Sequence, residues 1–303
     1  MRIAVTGANG FVGRHVVRDA VATGWDVAGI VRSEQAAQAV SEAGGRPVVI
    51  AKPGRDLLAP AFEGARAVVH LAQIGAERAG QTYEAVNVDL TERVLEAAGR
   101  ARVPRVVFLS GLGAARYGLS RRCTNGYFLS KLAAERLLFR SDRETVVFRP
   151  SYIVGPGDGF VPAVLAAMAA GEVERPGDGS YRMQPIAVSD VAALVRAAVE
   201  RPSGAFPTVF DLVGPEPLSY AHLLDRLAQV ARREGRPVEH RIREIALAEA
   251  DGRARRGGYL GMLPDELDCL LCDEVGDPAP LVALLGRPLT PLDAALAAAV
   301  RAS

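Results

Sequence analysis

The segment RIAVTGANGFVG at residues 2–13 limits what this chain can fold into more than any other stretch. A β-branched apolar run is cut by Gly7, and apolar residues at helical spacing begin at Phe11. Gly7, Gly10 and Gly13 recur every third residue across that strand-to-helix junction. The first glycine permits a turn with unusual dihedrals. The second lets backbone approach a pyrophosphate, and the third lets the helix pack closely on its strand. Free N–H groups and the dipole at the helix start then favour an anion there. Three glycines in a chain holding 31 are a weak signal alone. Set between a first strand and a first helix, they read as a dinucleotide-binding turn rather than a plain structural one.

Five further apolar runs follow: WDVAGIVR (25–32), PVVI (47–50), ARAVVHLA (65–72), RVVFLS (105–110) and TVVFRP (145–150). Helix-length patterns separate them, the longest over about 81–102 and 125–140. Near-continuous apolar strands alternating with helices predict an α/β protein whose parallel sheet is covered on both faces. Right-handed crossovers make it a doubly wound (Rossmann) sheet with ligands at the strand carboxyl ends. After Pro150 the rhythm breaks. GPGDGF (155–160) and ERPGDGSYRMQP (174–185) mark loops, VSDVAALVRAAVE (188–200) a helix capped by Ser189 and Asp190, and TVFDLVG (208–214) a strand. The expected organisation is an NAD(P)-binding domain over 1–155, with part of 184–214 returning to it. Residues 156–303 are expected to form a smaller C-terminal α/β lobe that mainly selects substrate.

Composition removes several function classes. The formal net charge of +1 offers no bulk field for nucleic acid or an anionic membrane. Runs such as VPAVLAAMAAG fall far short of the roughly 20 apolar residues a spanning helix needs. The first residues carry no signal-peptide pattern, and three cysteines make no disulfide framework. The expectation is a cytoplasmic protein acting on a small molecule, with no nucleic-acid partner, membrane span or metal. CLLC (269–272) has two cysteines without a second pair or a nearby His, and reads as buried thiols. DGRARRGG (251–258) reads as a solvated Arg-rich loop.

The chemistry concentrates in YFLSK, where Tyr127 and Lys131 stand four apart and so share one helix face. The chain has 34 arginines but only two lysines, Lys52 and Lys131. A lysine kept where arginine is the rule points to a need for a compact ammonium with three donors. Such a cation favours the phenolate of a nearby tyrosine and brings it toward acid–base work. Ser110 ends the fifth apolar run, with Leu112 two positions further on and Ser120 and Thr124 nearer Tyr127 in sequence. At the end of the second strand, Arg32 and Ser33 stand where an acid would select NAD. Arg32 can pair with a 2′-phosphate, so NADP(H) is favoured with NAD(H) as the alternative; the bland reading is one solvated arginine among 34. His70, flanked by apolar residues, reads as a satisfied core histidine.

In order along residues 1 to about 215, TGANGFVG, RDLLAPAFEGARAVVHLA, NVDLTERVLEAA, YFLSK, FRPSYIVGPGD and PIAVSDVA resemble the motif series of the short-chain dehydrogenase/reductase superfamily, in its extended and atypical branches. FLSGLGA with YFLSKLAAE is similar to bacterial relatives of a respiratory complex I accessory subunit. The resemblance implies a cofactor site including Gly7, Asn9, Gly10, Phe11, Val12, Gly13, Arg32, Ser33, Leu71, Ala72, Pro150, Tyr127 and Lys131. It places Asp56 and Leu57 beside the adenine and makes Asn87 the support of a proton relay. Tyr127, Lys131 and Ser110 become the catalytic set of an NADP(H)-dependent oxidoreductase acting on a carbonyl or alcohol. The same apparatus serves sugar-nucleotide epimerases and dehydratases, and some atypical relatives are non-catalytic assembly factors or sensors. Pairing of two copies through the two long helices is a further implication.

Overall fold

The structure is a computed structural model, and it describes residues 1–78, 80–116, 124–204, 208–236, 238 and 241–303. The first stretch runs β1 (Arg2–Thr6), α1 (Phe11–Ala22), β2 (Asp26–Val31), α2 (Glu34–Glu42), β3 (Arg46–Val49), α3 (Arg55–Phe62) and β4 (Ala67–His70). A π-helical turn (Glu84–Val88) then leads into α4 (Asp89–Arg100). β5 (Arg105–Leu109), a 3₁₀ turn (Leu112–Arg116), α5 (Gly126–Arg140) and β6 (Glu144–Pro150) complete the half. Beyond it come β7 (Ile153–Val154), α6 (Phe160–Ala169), β8 (Glu172–Pro176), β9 (Arg182–Met183), β10 (Ile186–Ala187), α7 (Val188–Glu200) and β11 (Thr208–Leu212). The last elements are β12 (Leu218–Ser219), α8 (Tyr220–Arg233), β13 (Arg241–Ile245), α9 (Leu247–Arg255), α10 (Pro264–Leu270), α11 (Ala279–Leu285) and α12 (Leu292–Arg301).

One compact unit comprises Met1–Pro150, Ser189–Asp211 and Ala279–Arg287. It holds a seven-stranded sheet in the order β11-β6-β5-β4-β1-β2-β3, the order of a doubly wound fold. β1 pairs in parallel with β2 and β4, with Val5 opposite Gly29 and Val69. β5 is buried along its whole length and β1 at all but its first residue, as a sheet covered on both faces demands. Its apolar layer includes Leu58, Phe62, Val94, Val106, Phe108 and Leu138. The segment 279–287, expected in the C-terminal lobe, joins this unit. Asp190, expected as a capping residue, is fully buried and accepts from Arg287 Nη2 at 2.8 Å.

The other unit comprises Ser151–Val188, Leu212–Pro278 and Pro288–Ser303. It holds three two-stranded sheets, β10-β7, β12-β9 and β13-β8, around a core from α6, α8 and α12. In the turn GPGDGF, Asp158 accepts from the N–H groups of Gly155 (2.9 Å) and Val161 (2.7 Å). Part of the expected loop DGRARRGG is instead the end of α9. Arg253 with Glu249 and Arg255 with Asp251 form pairs one turn apart, which offset the cost of Gly252 in the helix. Cys269 lies in α10 and Cys272 just past its end, both half-buried. Among the described residues no helix is long and apolar enough to cross a membrane.

Candidate active site

The glycine turn forms as its spacing requires. Gly7 has φ +69°, and a Cβ there would stand 2.7 Å from the backbone N of Ala72. A Cβ on Gly13 would meet the Gly7 carbonyl at 2.2 Å, so only glycine lets α1 start this close to β1. Gly10 is the cap of α1, with no side-chain hydrogen bond and no acid in the first turn. That leaves a cradle a Cβ would fill, at a helix start built for an anion. Phe11 and Val12 form its first turn, with the Phe11 ring edge-on to His15 at 5.7 Å.

A cavity of about 790 Å³ extends from this cradle along the carboxyl ends of β1, β2 and β4. Gly7, Asn9, Gly10, Arg32, Ser33, Leu71 and Ala72 all line it. Ser33 also caps α2 by accepting from the Ala36 N–H at 3.3 Å. Asp56 and Leu57 do not line the cavity, which corrects the placement beside an adenine. They sit in the first turn of α3, where Asp56 is ion-paired with Arg100 and Leu57 is 59% exposed. An acid there complements the helix dipole, and the chain crosses the cavity earlier, at residues 50–54. Lys52 stands in that crossing, and Arg93 faces the same space. Lysine scarcity singled out Lys131, and the same signal pointed equally to Lys52. Pro150 closes β6 and also lies off the cavity wall.

Behind the wall, His70 is buried between two threonines. Thr91 donates to the Asn87 carbonyl at 2.7 Å and so accepts from His70 Nε2–H at 3.0 Å. His70 Nδ1 is left to accept from Thr6 at 2.7 Å, which assigns the neutral tautomer. Burial, and secondly the charge of Lys131, pull His70 from 6.5 down to about 3. A value lowered in the folded chain stabilises the fold above the unfolded value and withdraws that contribution as pH falls toward the folded one. Between pH 7.5 and 4, wild type should lose about 3 kcal/mol more unfolding free energy than His70→Gln, read from urea melts. Parallel losses would mean that His70 does not titrate in this way.

Asn87 lies in the π-helical turn and staples three elements. Its Oδ1 accepts from the Ile74 N–H at 2.9 Å, and its Nδ2 donates to the Ile74 carbonyl at 3.0 Å and Ser130 Oγ at 2.9 Å. This fixes the segment after β4 against α5, which carries Tyr127 and Lys131. Those two converge on Gln73, which the sequence reading missed. Lys131 Nζ donates to Gln73 Oε1 at 2.8 Å and Tyr127 Oη donates to the same oxygen at 3.3 Å. Lys131 also donates to the Leu109 carbonyl at 2.6 Å and lies 4.3 Å from the Phe108 ring centre. Burial lowers its ammonium to about 7, against an opposing pull from Glu135.

Among the described residues the side-chain partner that Tyr127 and Lys131 share is Gln73, not a serine. Ser110 is buried, its N–H donates to the Phe148 carbonyl at 2.7 Å, and its hydroxyl has no partner among the described residues. Like Tyr127 and Lys131 it is absent from the cavity wall, but those two meet the wall residue Gln73 and it does not. Gly111 faces the couple instead, since a Cβ there would lie 3.5 Å from Tyr127 Oη. Leu112 is buried and Thr124 exposed, while Ser120 lies outside the described residues.

The model of the NAD-dependent epimerase/dehydratase family matches residues 3–212. The chain belongs to that family. It is 32% identical over 220 residues to a farnesyl-dihydroquinoline-oxide ketoreductase of Stigmatella aurantiaca, covering 67% of this chain and 66% of that protein. It is 33% identical over 282 residues to a dTDP-4-dehydro-6-deoxy-D-allose reductase of a Streptomyces species, covering 79% and 83%. Subunit 9 of the NADH dehydrogenase alpha subcomplex from Arabidopsis thaliana is 25% identical over 242 residues, covering 78% and 59%. The chain thus spans under two thirds of the ketoreductase and of the plant subunit. A UDP-glucuronic acid 4-epimerase of Bacillus cereus shares the fold with TM-score 0.74 at 17% identity, covering 100% of this chain and 98% of that one.

Proposed function

We propose that this chain is an NADP(H)-dependent oxidoreductase that interconverts a carbonyl and an alcohol. The observation that carries the reading is the convergence of Tyr127 and Lys131 on one point beside the glycine cradle. The reductase names among its relatives support it. The cradle residues Gly7, Gly10 and Gly13 would hold the pyrophosphate, and the nicotinamide, when bound, supplies or accepts the hydride. Lys131 offers N–H donors to ribose hydroxyls, and its charge stabilises the Tyr127 phenolate. In reduction Tyr127 gives its proton to the substrate oxygen; in oxidation it takes that proton back. With Ser110 buried and Leu112 apolar, Tyr127 is the group that polarises that oxygen.

Arg32 and Lys52 face one cavity that also carries Arg93, a set of cations suited to a 2′-phosphate. Calorimetric titration should therefore favour NADPH over NADH. Arg32→Ala and Lys52→Ala should each weaken NADPH by about tenfold and leave NADH unchanged. A preference for NADH would remove the phosphate assignment. Epimerisation of a sugar nucleotide is the second reading, favoured by the family match. Turnover of a sugar nucleotide with no net consumption of added NADPH would select it.

A further inference from the structure

We propose that Gln73 is a positioning residue that holds Lys131 in place of a ribose hydroxyl and must swing away for a dinucleotide to bind; this rests on the nucleotide-binding reading above. Lys131 Nζ has neighbours of three kinds: the Leu109 carbonyl at 2.6 Å, Gln73 Oε1 at 2.8 Å, and the Phe108 ring at 4.3 Å. An ammonium only donates, so the Gln73 amide presents its oxygen here. Leu109 O and Phe108 belong to β5, an interior strand paired on both sides, and cannot leave without breaking the sheet. Gln73 is an exposed side chain on the segment after β4, and it faces the cavity. Of the three, it alone can change rotamer at little cost.

The ligand that competes with it is a hydroxyl-bearing ribose reaching Lys131 along the cavity. A ribose oxygen that takes this acceptor position displaces Gln73 Oε1 and with it the 3.3 Å bond from Tyr127 Oη. One movement therefore releases the hydrogen bonds that both members of the couple make to Gln73. Gln73 also keeps a buried cation hydrogen-bonded until the ribose arrives, a role that matters because an unpaired buried ammonium is costly. Its effect on affinity is negative: every dinucleotide that binds must first break the Gln73–Lys131 bond.

Calorimetry of wild type, Gln73→Ala and Gln73→Glu tests this with NADPH and NADH, and with 2′,5′-ADP and ADP as truncated probes lacking the nicotinamide riboside. Gln73→Ala should bind the preferred dinucleotide about 3- to 10-fold more tightly, with the truncated probe unchanged. Gln73→Glu, whose carboxylate would form an ion pair with Lys131, should weaken the dinucleotide by more than about tenfold while sparing the truncated probe. Equal weakening of both probes by Gln73→Glu would mean simple repulsion of phosphate and would overturn the proposal. Unchanged or weaker dinucleotide binding by Gln73→Ala would overturn it too. A wild-type protein that binds neither dinucleotide would overturn the underlying nucleotide reading, a result that does not involve the variants. Melting curves of both variants check that each is folded before its affinities are read.

Discussion

Replacing Tyr127 with Phe is expected to lower turnover of a carbonyl substrate by about 10²- to 10⁴-fold. The phenol is the proposed proton carrier, held with Lys131 on one Gln73 oxygen, while the Ser110 hydroxyl is buried without a partner among the described residues. The ring would remain, packed 5.3 Å from Phe128 and 6.4 Å from Tyr83, so the helix should keep its place. Dinucleotide affinity should stay within about 3-fold, since the loss falls on the transition state rather than on binding. Steady-state kinetics beside calorimetry separates the two quantities. Wild-type turnover in Tyr127→Phe would remove the phenol from the chemistry.

Arg105→Met is expected to lower unfolding free energy by about 3–5 kcal/mol, or on the order of 10 °C in melting temperature. Arg105 is fully buried at the start of β5. Its Nη1 donates to the carbonyls of Ala198 (2.9 Å), Val199 (2.8 Å) and Arg201 (2.7 Å) at the end of α7. Its Nε and Nη2 donate to Glu144 Oε2 at 3.1 and 2.7 Å. One planar fork thus closes a helix end and pairs a carboxylate at once. Methionine fills similar space but leaves those carbonyls buried and without a donor. Arg105→Lys should recover little, because a single ammonium cannot reach both sides. A lysine variant as stable as wild type would show that charge alone is enough.

Much of this was legible from local pattern. The strands of the first half announced themselves because residues buried on both faces must be apolar throughout. Gly7, Gly10 and Gly13 were readable because steric demand acts over a few residues. Tyr127 and Lys131 shared a face by helical period alone. Spacing along the chain is blind to the register of a connection. Asp56 and Leu57 looked like a cofactor wall, yet α3 begins at Arg55 and turns them outward, leaving Lys52 at the cavity.

The α/β class, the glycine cradle and the couple on α5 each follow from spacing within one element or one junction. What those groups meet depends on contacts between segments far apart in the chain. Gln73 reaches Lys131 across 58 residues, and Arg105 reaches the end of α7 across 93. Neither side chain is marked by periodicity or composition, since a single hydrogen bond between distant segments leaves no repeat in the chain. Ser110 carries the same lesson in reverse. Its position after β5 suggested a catalytic hydroxyl, but packing of that strand end turned it into the core and left Gly111 facing Tyr127.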